Sequence, residues 1–147
     1  EDDPRRALLL VVLSDLAAFG QQTGAVLAAD TGAESGAELA ALLADVRGGV
    51  IAANLDPAGL MINGESPMEA VTALGEKIWH VYANDATRDL ARRQGYEVQL
   101  GRGSVDIAGL LGALEEHGYR GFFTIAREGA QDIVSEIGAA VSYLKSL

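Results

Sequence analysis

Four short apolar runs, each followed by a turn and then by a helical segment, constrain the fold of this chain more than any other feature. The runs occupy residues 25–29, 50–55, 78–82 and 121–125. Strands that alternate with helices at this spacing call for parallel strands joined by right-handed crossovers. Nearly continuous apolar runs agree, because a parallel sheet is covered on both faces. We therefore predict a single α/β domain over residues 1–147, built from four parallel βα units.

A helix is predicted before the first strand, over residues 3–23 with Asp3 as its N-cap. Its run over residues 7–13 is wholly apolar, so we expect this helix to be buried on more than one side. Further helices are predicted over residues 36–46, 66–74, 106–117 and 131–147. The second of these begins at a predicted capping box formed by Ser66 and Glu69. The stretch over 84–104 is predicted to be a polar loop.

The composition excludes several classes of protein and site. The chain has no cysteine, which excludes disulfides, thiolate metal sites and cysteine nucleophiles and fits a cytoplasmic protein. Its net charge is −10, with 21 acidic and 11 basic residues, so nucleic acid is not expected as a partner. The apolar run at 7–13 is far shorter than the roughly 20 residues of a membrane span, and it lacks the pattern of a signal peptide. No membrane partner is expected either.

Four motifs follow one another along the chain: LDPAGL at 55–60, HVYANDA at 80–86, LGRGSVD at 100–106 and GYRGFFTI at 118–125. As an ordered set they resemble the strand ends and loops of the sugar phosphate isomerase/epimerase family of xylose-isomerase-like (β/α)₈ barrels. The resemblance covers nearly the whole chain and corresponds to strands five to eight of that barrel. It implies that the four βα units form half of a TIM barrel, and strands one to four have no counterpart in this sequence.

The resemblance also implies a site at the C-terminal mouth of the barrel. There the family holds a divalent metal (Mn, Co, Mg or Zn) with a Glu, an Asp, a His and a Glu, one from each strand, and carboxylates move the proton. The corresponding residues here are Asp30, Asp56, Tyr82 and Ala126. Asp30 and Asp56 are the candidate metal ligands and catalytic groups, whereas neutral tyrosine is a poor ligand for such ions and alanine is none. The position of a substrate-binding arginine in some family members falls on Arg88.

A second layer of inward-facing side chains is predicted below those four positions, because every second residue of a strand faces the same side. It consists of Ala28, Asn54, His80 and Thr124. His80 is therefore a candidate for substrate binding or for a deeper metal ligand. The alternative is a core histidine that is hydrogen-bonded to Asn54 or Thr124. By the same alternation, Trp79 is expected to face outward and to pack onto a helix.

A rebuilt ligand set is a further possibility at the mouth. Glu128 lies two residues beyond Ala126 and shares its face of the strand. Glu128 would then join Asp30, Asp56 and Asp85 around a metal. Without the charge of a metal, facing carboxylates repel one another.

Two other groups each allow a functional and a structural interpretation. Arg88, Arg92 and Arg93 either bind a phosphate or form a solvated loop face. Gly101 and Gly103 either cradle an anion or shape the backbone before the next helix.

Four parallel strands cannot close a barrel, so the first and last strands are each expected to present an unpaired edge. The inner face of the sheet would then lie in water. The residues expected there are Val26, Ala28, Ile78, Tyr82 and Phe122. Two copies supply the eight strands of a closed barrel, and a twofold axis pairs the first strand of each copy with the last strand of the other. We therefore predict a homodimer formed through the strand edges.

Three functions remain open on this sequence. The first is a non-catalytic, self-assembling half-barrel scaffold, natural or engineered, with no cofactor. The second is a metal-dependent sugar (phosphate) isomerase or epimerase, active as a dimer or with a companion half. The third is a pseudoenzyme that binds a small sugar or an anion at the barrel mouth. The lost ligand chemistry at Tyr82 and Ala126 favours the first function over the second.

Overall fold

The computed structural model describes residues 4–89, 91–92 and 94–147. Asp3, predicted as an N-cap, and Arg93, a member of the arginine group, lie outside the described residues. A four-stranded parallel sheet has the order β1-β2-β3-β6. Its strands are β1 Leu27–Asp30, β2 Ile51–Leu55, β3 Ile78–Ala83 and β6 Phe123–Ile125. Each predicted apolar run contributes one of these strands, so the α/β prediction with four parallel strands is confirmed and the architecture is consistent with a partial TIM barrel.

Six helices accompany these strands in the described part of the chain. They are α1 Pro4–Thr23, α2 Gly36–Ala44, α3 Pro57–Asn63, α4 Pro67–Leu74, α5 Ile107–Glu116 and α6 Ile133–Leu144. Five of them match predicted helices, with ends that differ by a few residues. Helix α3 was not predicted, although Asp56 caps it and Gly64 ends it with a left-handed φ of 93°. Its seven residues are too few for a helical period to stand out in the sequence.

The prediction of a polar loop over 84–104 is wrong. Two strands, β4 Asp85–Asp89 and β5 Gln94–Val98, form an antiparallel hairpin within it. The hairpin packs against α3 and not against the main core, so its strands carry no apolar alternation. The approach is close at Gly95, where an added Cβ would lie 2.5 Å from the Cα of Ile62.

The hydrophobic core lies between the outer face of the sheet and the helices. Leu55 and Val81 are 0% and 1% exposed on the sheet side. Leu60, Val71 and Leu114, on three different helices, are buried against this face. Apolar burial of this kind is the main stabilising term of the fold, at about 25 cal/mol per Å² removed from water.

Helix α1 is more exposed than predicted. Only Ala17 and Gly20 of this helix are fully buried, whereas Leu8 and Phe19 are 65% and 64% exposed. The expectation that α1 is buried on more than one side is therefore not met within the chain. None of the described helices is long and apolar enough to span a membrane.

A register shift in β3 changes which residues face inward. Ala53 pairs with Ile78 and the next residue, Asn54, pairs with His80, so Trp79 is an extra residue in the strand. Ile78 is consequently turned into the core and is only 4% exposed, contrary to the prediction that it lies in water. The prediction that Trp79 packs outward onto a helix is also wrong, since its side chain is 52% exposed.

The two outer strands of the parallel sheet each have one neighbour in the described residues. β1 pairs only with β2, and β6 pairs only with β3. The inner face is correspondingly open, as predicted for Phe122, which is 84% exposed, and for Val26, which is 46% exposed.

Candidate functional site

A cavity of about 300 Å³ lies at the C-terminal ends of the parallel strands. Because these ends meet at one edge of a parallel sheet, the side chains that follow them converge there. The cavity is bordered by all four positions that the resemblance singled out: Asp30, Asp56, Tyr82 and Ala126. Glu128 also borders it, as do Asn84 and Glu97, which the sequence analysis did not select. We call this space the mouth cavity.

Asp56 is held in place by the backbone that follows it. Its Oδ1 accepts hydrogen bonds from the N–H of Gly59 at 2.8 Å and from Nδ2 of Asn84 at 2.8 Å. Asn84 in turn accepts a hydrogen bond from the N–H of Ala58 at 3.0 Å. Asp56 therefore serves as the N-cap of α3, and one of its two oxygens is already engaged.

Four polar side chains form a hydrogen-bonded chain across the inner face, with one from each parallel strand. Nδ2 of Asn54 donates to Oδ1 of Asp30 at 2.5 Å. The ring nitrogens of His80 lie 2.6 Å from Oδ1 of Asn54 and 2.7 Å from Oγ1 of Thr124. We call this set, Asp30–Asn54–His80–Thr124, the polar chain.

The polar chain fixes the tautomer of His80. An ionised carboxylate only accepts hydrogen bonds, so the amide NH₂ of Asn54 must face Asp30 and its carbonyl oxygen must face His80. Nδ1 of His80 must then donate to this oxygen, so the tautomer that fits the chain has its hydrogen on Nδ1 and accepts at Nε2 from the Thr124 hydroxyl. The predicted hydrogen bonds of His80 to Asn54 and Thr124 are both present, but its side chain is half-buried on the open inner face and does not lie in the core. Its role in substrate binding stays a prediction.

Asp30 lies lower in the barrel than the sequence analysis placed it. Alternation predicted Asn54 in one layer with Ala28, but the strands are staggered and Asn54 pairs with Asp30. The carboxylate of Asp30 accordingly bonds within the polar chain and still borders the mouth cavity. Its role as metal ligand or catalytic group stays a prediction, as does that of Asp56.

Asp85 cannot serve the rebuilt ligand set as predicted, because its carboxylate is 1% exposed and fully engaged. It accepts hydrogen bonds from the N–H groups of Ala86, Gly101, Gly103 and Val105 at 2.7 to 3.1 Å. The two glycines therefore cradle an anion that the chain itself supplies. Gly101 and Gly103 therefore have both of the roles considered above, because the same hydrogen bonds also fix the backbone before α5.

A second clamp joins the hairpin to the loop after β6. Arg127 donates to Glu97 at 2.8 Å and to Glu136 at 2.7 Å, and its side chain is only 14% exposed. The hydrogen bond that Arg127 donates to Glu136 raises the pKa of Arg127, and the one that it donates to Glu97 adds to this effect. Glu97 also accepts a hydrogen bond from the N–H of Glu128 at 3.0 Å. This clamp positions Glu128 at the mouth, and no local sequence signal marks it because its members are 9 to 31 residues apart.

The arginine group does not gather at the mouth. Arg88 does not border the mouth cavity, and its guanidinium lies against Gly64 at the end of α3. Its Nε is buried and has no hydrogen-bond partner among the residues that the structure describes. Arg92 is 79% exposed and pairs loosely with Asp89 at 3.7 Å. Substrate binding by Arg88 stays a prediction, and its observed contacts are structural.

The donor set at the mouth does not fit a divalent metal held by this chain alone. Within the described ranges, no three His, Asp or Glu side chains converge in a way that would hold a metal ion. Asp30 and Asp56 are each tied to an amide side chain. Tyr82 and Ala126 occupy the remaining family positions, and they supply no ligand suited to a hard divalent ion.

The fold and the mouth cavity define a class of protein, the (β/α)-barrel proteins whose functional side chains lie at the C-terminal ends of the strands. The family described as Xylose isomerase-like TIM barrel matches residues 6–147. The chain therefore belongs to that family. No curated protein sequence matches the chain.

Solved structures agree with this assignment. A xylose isomerase domain protein from Planctomyces limnophilus is 28% identical with a TM-score of 0.89, covering 99% of this chain and 53% of its own length. A 3-keto-D-glucoside 4-epimerase from E. coli is 17% identical with a TM-score of 0.75, covering 97% and 54%. A xylose isomerase-like TIM barrel protein from Mycobacterium smegmatis, solved in complex with magnesium, is 18% identical with a TM-score of 0.77, covering 98% and 51%. The chain thus spans about half the length of the structures it matches.

Proposed function

We propose that this protein is a non-catalytic half barrel that assembles with a second copy of itself into a closed eight-stranded barrel. The observation that carries the absence of catalysis is the composition of the mouth. Tyr82 and Ala126 stand where the family resemblance predicts a His and a Glu ligand, and the carboxylates of Asp30 and Asp56 are bonded to Asn54 and Asn84. A metal-dependent isomerisation needs an open, charged ligand set that these residues do not provide.

Assembly is supported by the open edges of the sheet. A twofold axis along the barrel would pair β1 of each copy with β6 of the other, which removes both edges through two identical contacts. Helix α1 lies beside β1 and helix α6 lies beside β6, so their exposed apolar side chains would extend each contact. These side chains include Leu9 and Leu16 on α1, and Ile133 and Val134 on α6. This proposal applies equally to a natural and to an engineered chain. It includes a cytoplasmic location, which the lack of cysteine supports.

Two measurements on the purified 147-residue chain test both parts of the proposal. Sedimentation equilibrium at micromolar concentration should give the mass of two chains. Elemental analysis should find no stoichiometric Mn, Co, Mg or Zn, and adding these ions should not raise the melting temperature. A folded monomer would contradict the assembly and favour a companion half. Stoichiometric metal would contradict the loss of catalysis and favour the metal-dependent isomerase or epimerase.

Sugar binding at the mouth is a second candidate function, and the mouth cavity favours it. Its volume of about 300 Å³ suits a small ligand, and its carboxylates would accept hydrogen bonds from sugar hydroxyl groups. The acidic lining opposes a phosphate or another anion, because Asp30, Asp56, Glu97 and Glu128 all border the space. A thermal-shift panel should therefore show larger shifts with neutral monosaccharides than with the matching sugar phosphates. Equal or larger shifts with the phosphates would contradict this candidate.

A further inference from the structure

The only Asn-Gly pair of the sequence, Asn63-Gly64, lies at the C-terminal end of α3. Both residues are exposed, so water reaches them. An asparagine followed by glycine loses its side-chain amide most readily, because glycine has no side chain that hinders the approach of its own backbone nitrogen. The other two asparagines of the chain are followed by residues with side chains. Asn63 is therefore the position at which spontaneous deamidation of this chain is chemically easiest.

The deamidation of this pair requires a particular backbone geometry. The backbone nitrogen of Gly64 loses its hydrogen and attacks Cγ of Asn63, so that a new C–N bond forms and the side-chain nitrogen leaves as ammonia. The product is a cyclic succinimide. Water then opens this ring, and it leaves aspartate if the new bond breaks or isoaspartate if the original backbone C–N bond breaks. The reaction thus needs a Gly64 nitrogen that can lose its hydrogen and can reach Cγ.

The end of α3 withholds both conditions in the folded chain. The N–H groups of Gly64 and Glu65 each donate to the carbonyl oxygen of Leu60 at 2.9 Å. Nδ2 of Asn63 donates to the carbonyl oxygen of Gly59 at 2.9 Å, one turn back along the helix. This bond holds the Asn63 side chain toward the start of the helix, whereas the Gly64 nitrogen follows at its end. We call these three hydrogen bonds the α3 cap.

The hairpin of β4 and β5 covers the α3 cap. An added Cβ at Gly64 would overlap the guanidinium of Arg88 on β4, so this side chain lies directly against the glycine. Gly95 on β5 lies equally close to the backbone of Ile62. The end of α3 can therefore unwind only when the hairpin moves away from it, which is a local opening of the fold.

We propose that Asn63 is a latent deamidation site, which the α3 cap and the hairpin protect in the folded chain, and that isoaspartate at this position prevents the cap from forming again. Isoaspartate carries the backbone through Cβ and Cγ, which adds one methylene group between residues 63 and 64. The N–H groups of Gly64 and Glu65 then no longer reach the carbonyl oxygen of Leu60. This inference does not depend on the proposed assembly.

The modification acts on the mouth cavity through α3. This helix begins at its N-cap Asp56, and the hairpin that packs on it carries Glu97. Both residues border the mouth cavity. A chain in which α3 and the hairpin cannot close therefore loses the arrangement of its mouth, and the loss is permanent because it is covalent.

Peptide mapping by mass spectrometry after timed incubation in mildly alkaline buffer tests the protection. The tryptic peptide 48–77 contains Asn63 and also Asn54, which is an internal reference because Leu55 follows it. In urea that unfolds the chain, Asn63 should deamidate far faster than Asn54. Without urea, deamidation of Asn63 should be about tenfold slower or more, because only locally opened chains react. Equal rates at Asn63 with and without urea, or no reaction in urea, would overturn the inference.

A pair of arginine variants tests the cover that the hairpin provides. Arg88→Met removes the guanidinium from Gly64, so Asn63 should deamidate several-fold faster in the folded variant than in the unaltered protein. Arg92→Met is the matched control, since Arg92 is 79% exposed, and it should leave the rate unchanged. Both variants should show unaltered circular dichroism and equal rates in urea. If folded Arg88→Met reacts no faster than folded Arg92→Met, the hairpin does not protect Asn63 and the inference is wrong.

The effect of isoaspartate is measured by hydrogen exchange after the urea-treated chains are returned to buffer. Chains with isoaspartate should lose the protection of the Gly64 and Glu65 amides. Asn63→Asp is the matched control, because it has the charge of the product and an ordinary backbone, and it should keep this protection. Equal protection in the isoaspartate chains and in Asn63→Asp would show that the α3 cap forms again, which contradicts the second part of the proposal.

Discussion

At the mouth cavity, the carboxylates of Asp56 and Glu97 accept hydrogen bonds from the chain's own donors. At the N-terminal end of the parallel sheet, which we call the floor, Trp79 and Phe122 are 52% and 84% exposed. The carboxylates at the mouth are therefore satisfied within the chain, whereas the apolar side chains at the floor are left exposed by the residues that the structure describes. The mouth also keeps its carboxylates in fixed positions before any ligand or partner arrives.

The difference follows from the free energy that a charged group and an apolar group each cost when no other group contacts them. A buried charge without partners costs several kcal/mol, so a chain that folds before it assembles must satisfy its buried carboxylates itself. Exposed apolar side chains cost far less, and the free energy of covering them is recovered on association. Polar mouth substitutions should accordingly change the stability of the chain, and apolar floor substitutions should change its assembly.

The largest effect is expected at Asp85. Asp85→Ala leaves the buried N–H group of Val105 and the partly buried N–H groups of Gly101 and Gly103 without an acceptor. Since each unsatisfied group costs about 1–3 kcal/mol, the free energy of unfolding should fall by about 3 kcal/mol or more. Urea denaturation at a fixed chain concentration measures this loss, because the proposed assembly would make stability depend on concentration.

Asp15→Ala on the exposed side of α1 is the control for Asp85. It should change the free energy of unfolding by no more than about 0.5 kcal/mol. A loss below about 1 kcal/mol in Asp85→Ala would show that water replaces the carboxylate, and the loop before α5 would then not depend on it.

The next largest effect is expected at Arg127. Arg127→Met keeps the length of the side chain but leaves Glu97 and Glu136 facing each other without a cation. We expect a loss of about 2 kcal/mol, less than for a fully buried pair because these side chains are 14% to 21% exposed. Thermal denaturation should also show a weaker salt dependence in the variant.

Arg92→Met is the matched control, since Arg92 is 79% exposed and its pair with Asp89 spans 3.7 Å. Its effect should lie below about 0.5 kcal/mol. If the two arginine variants lose the same stability, the clamp at the mouth is no stronger than a surface ion pair.

The sequence predicted the parts of this molecule whose signals are local. Parallel strands are buried on both faces, so each appears as an apolar run, and all four were found. The hairpin Asp85–Asp89 and Gln94–Val98 was missed because it packs on α3 and carries no apolar alternation. The complete capping box is at Ser35 and Glu38, where it was not predicted. At Ser66 the structure shows the bond from the N–H of Glu69.

The mouth was predicted in part for the same reason. Strand ends are marked by local motifs, so Asp56 and Tyr82 were placed correctly at one edge. Glu97 was missed, because its bond to Arg127 joins residues 30 apart and depends on the path of the hairpin. Trp79 was misplaced because a single extra residue in a strand reverses the faces that alternation predicts, and the sequence carries no mark of it.

A smaller effect is expected in the polar chain, which lies between the mouth and the floor. Asn54→Ala removes the partner of both Asp30 and Nδ1 of His80. The loss should be about 1–2 kcal/mol, since water can reach this open face and replace part of the bonding. In the unaltered protein, ¹⁵N spectra should show His80 as the Nδ1–H tautomer, and the variant should show a mixture.

His117 provides the internal reference for these spectra because its ring is on the surface. It should show the same tautomer mixture in both proteins. If His80 is the Nε2–H tautomer in the unaltered protein, the order of donors and acceptors in the polar chain is wrong.

The smallest effect is expected at Tyr119, which borders a cavity at the floor end of the sheet together with Trp79. Its hydroxyl donates to the carbonyl oxygen of Phe122 at 2.6 Å, so Tyr119→Phe should cost about 1 kcal/mol. Burial raises the pKa of Tyr119 above its ordinary value of 10.0. The folded chain therefore holds this proton more tightly than the unfolded chain, and the contribution is present below pH 10.0 and is lost as the pH rises through the folded pKa.

Urea denaturation between pH 9 and pH 11.5 tests this sign, with Tyr96→Phe as the control because Tyr96 is 59% exposed. Stability should fall with rising pH in the unaltered protein and in Tyr96→Phe, and less steeply in Tyr119→Phe. If the free energy of unfolding falls equally steeply with pH in all three proteins, the Tyr119 hydroxyl is as solvated as a surface tyrosine. The mouth and the floor would then differ only in their hydrogen bonding.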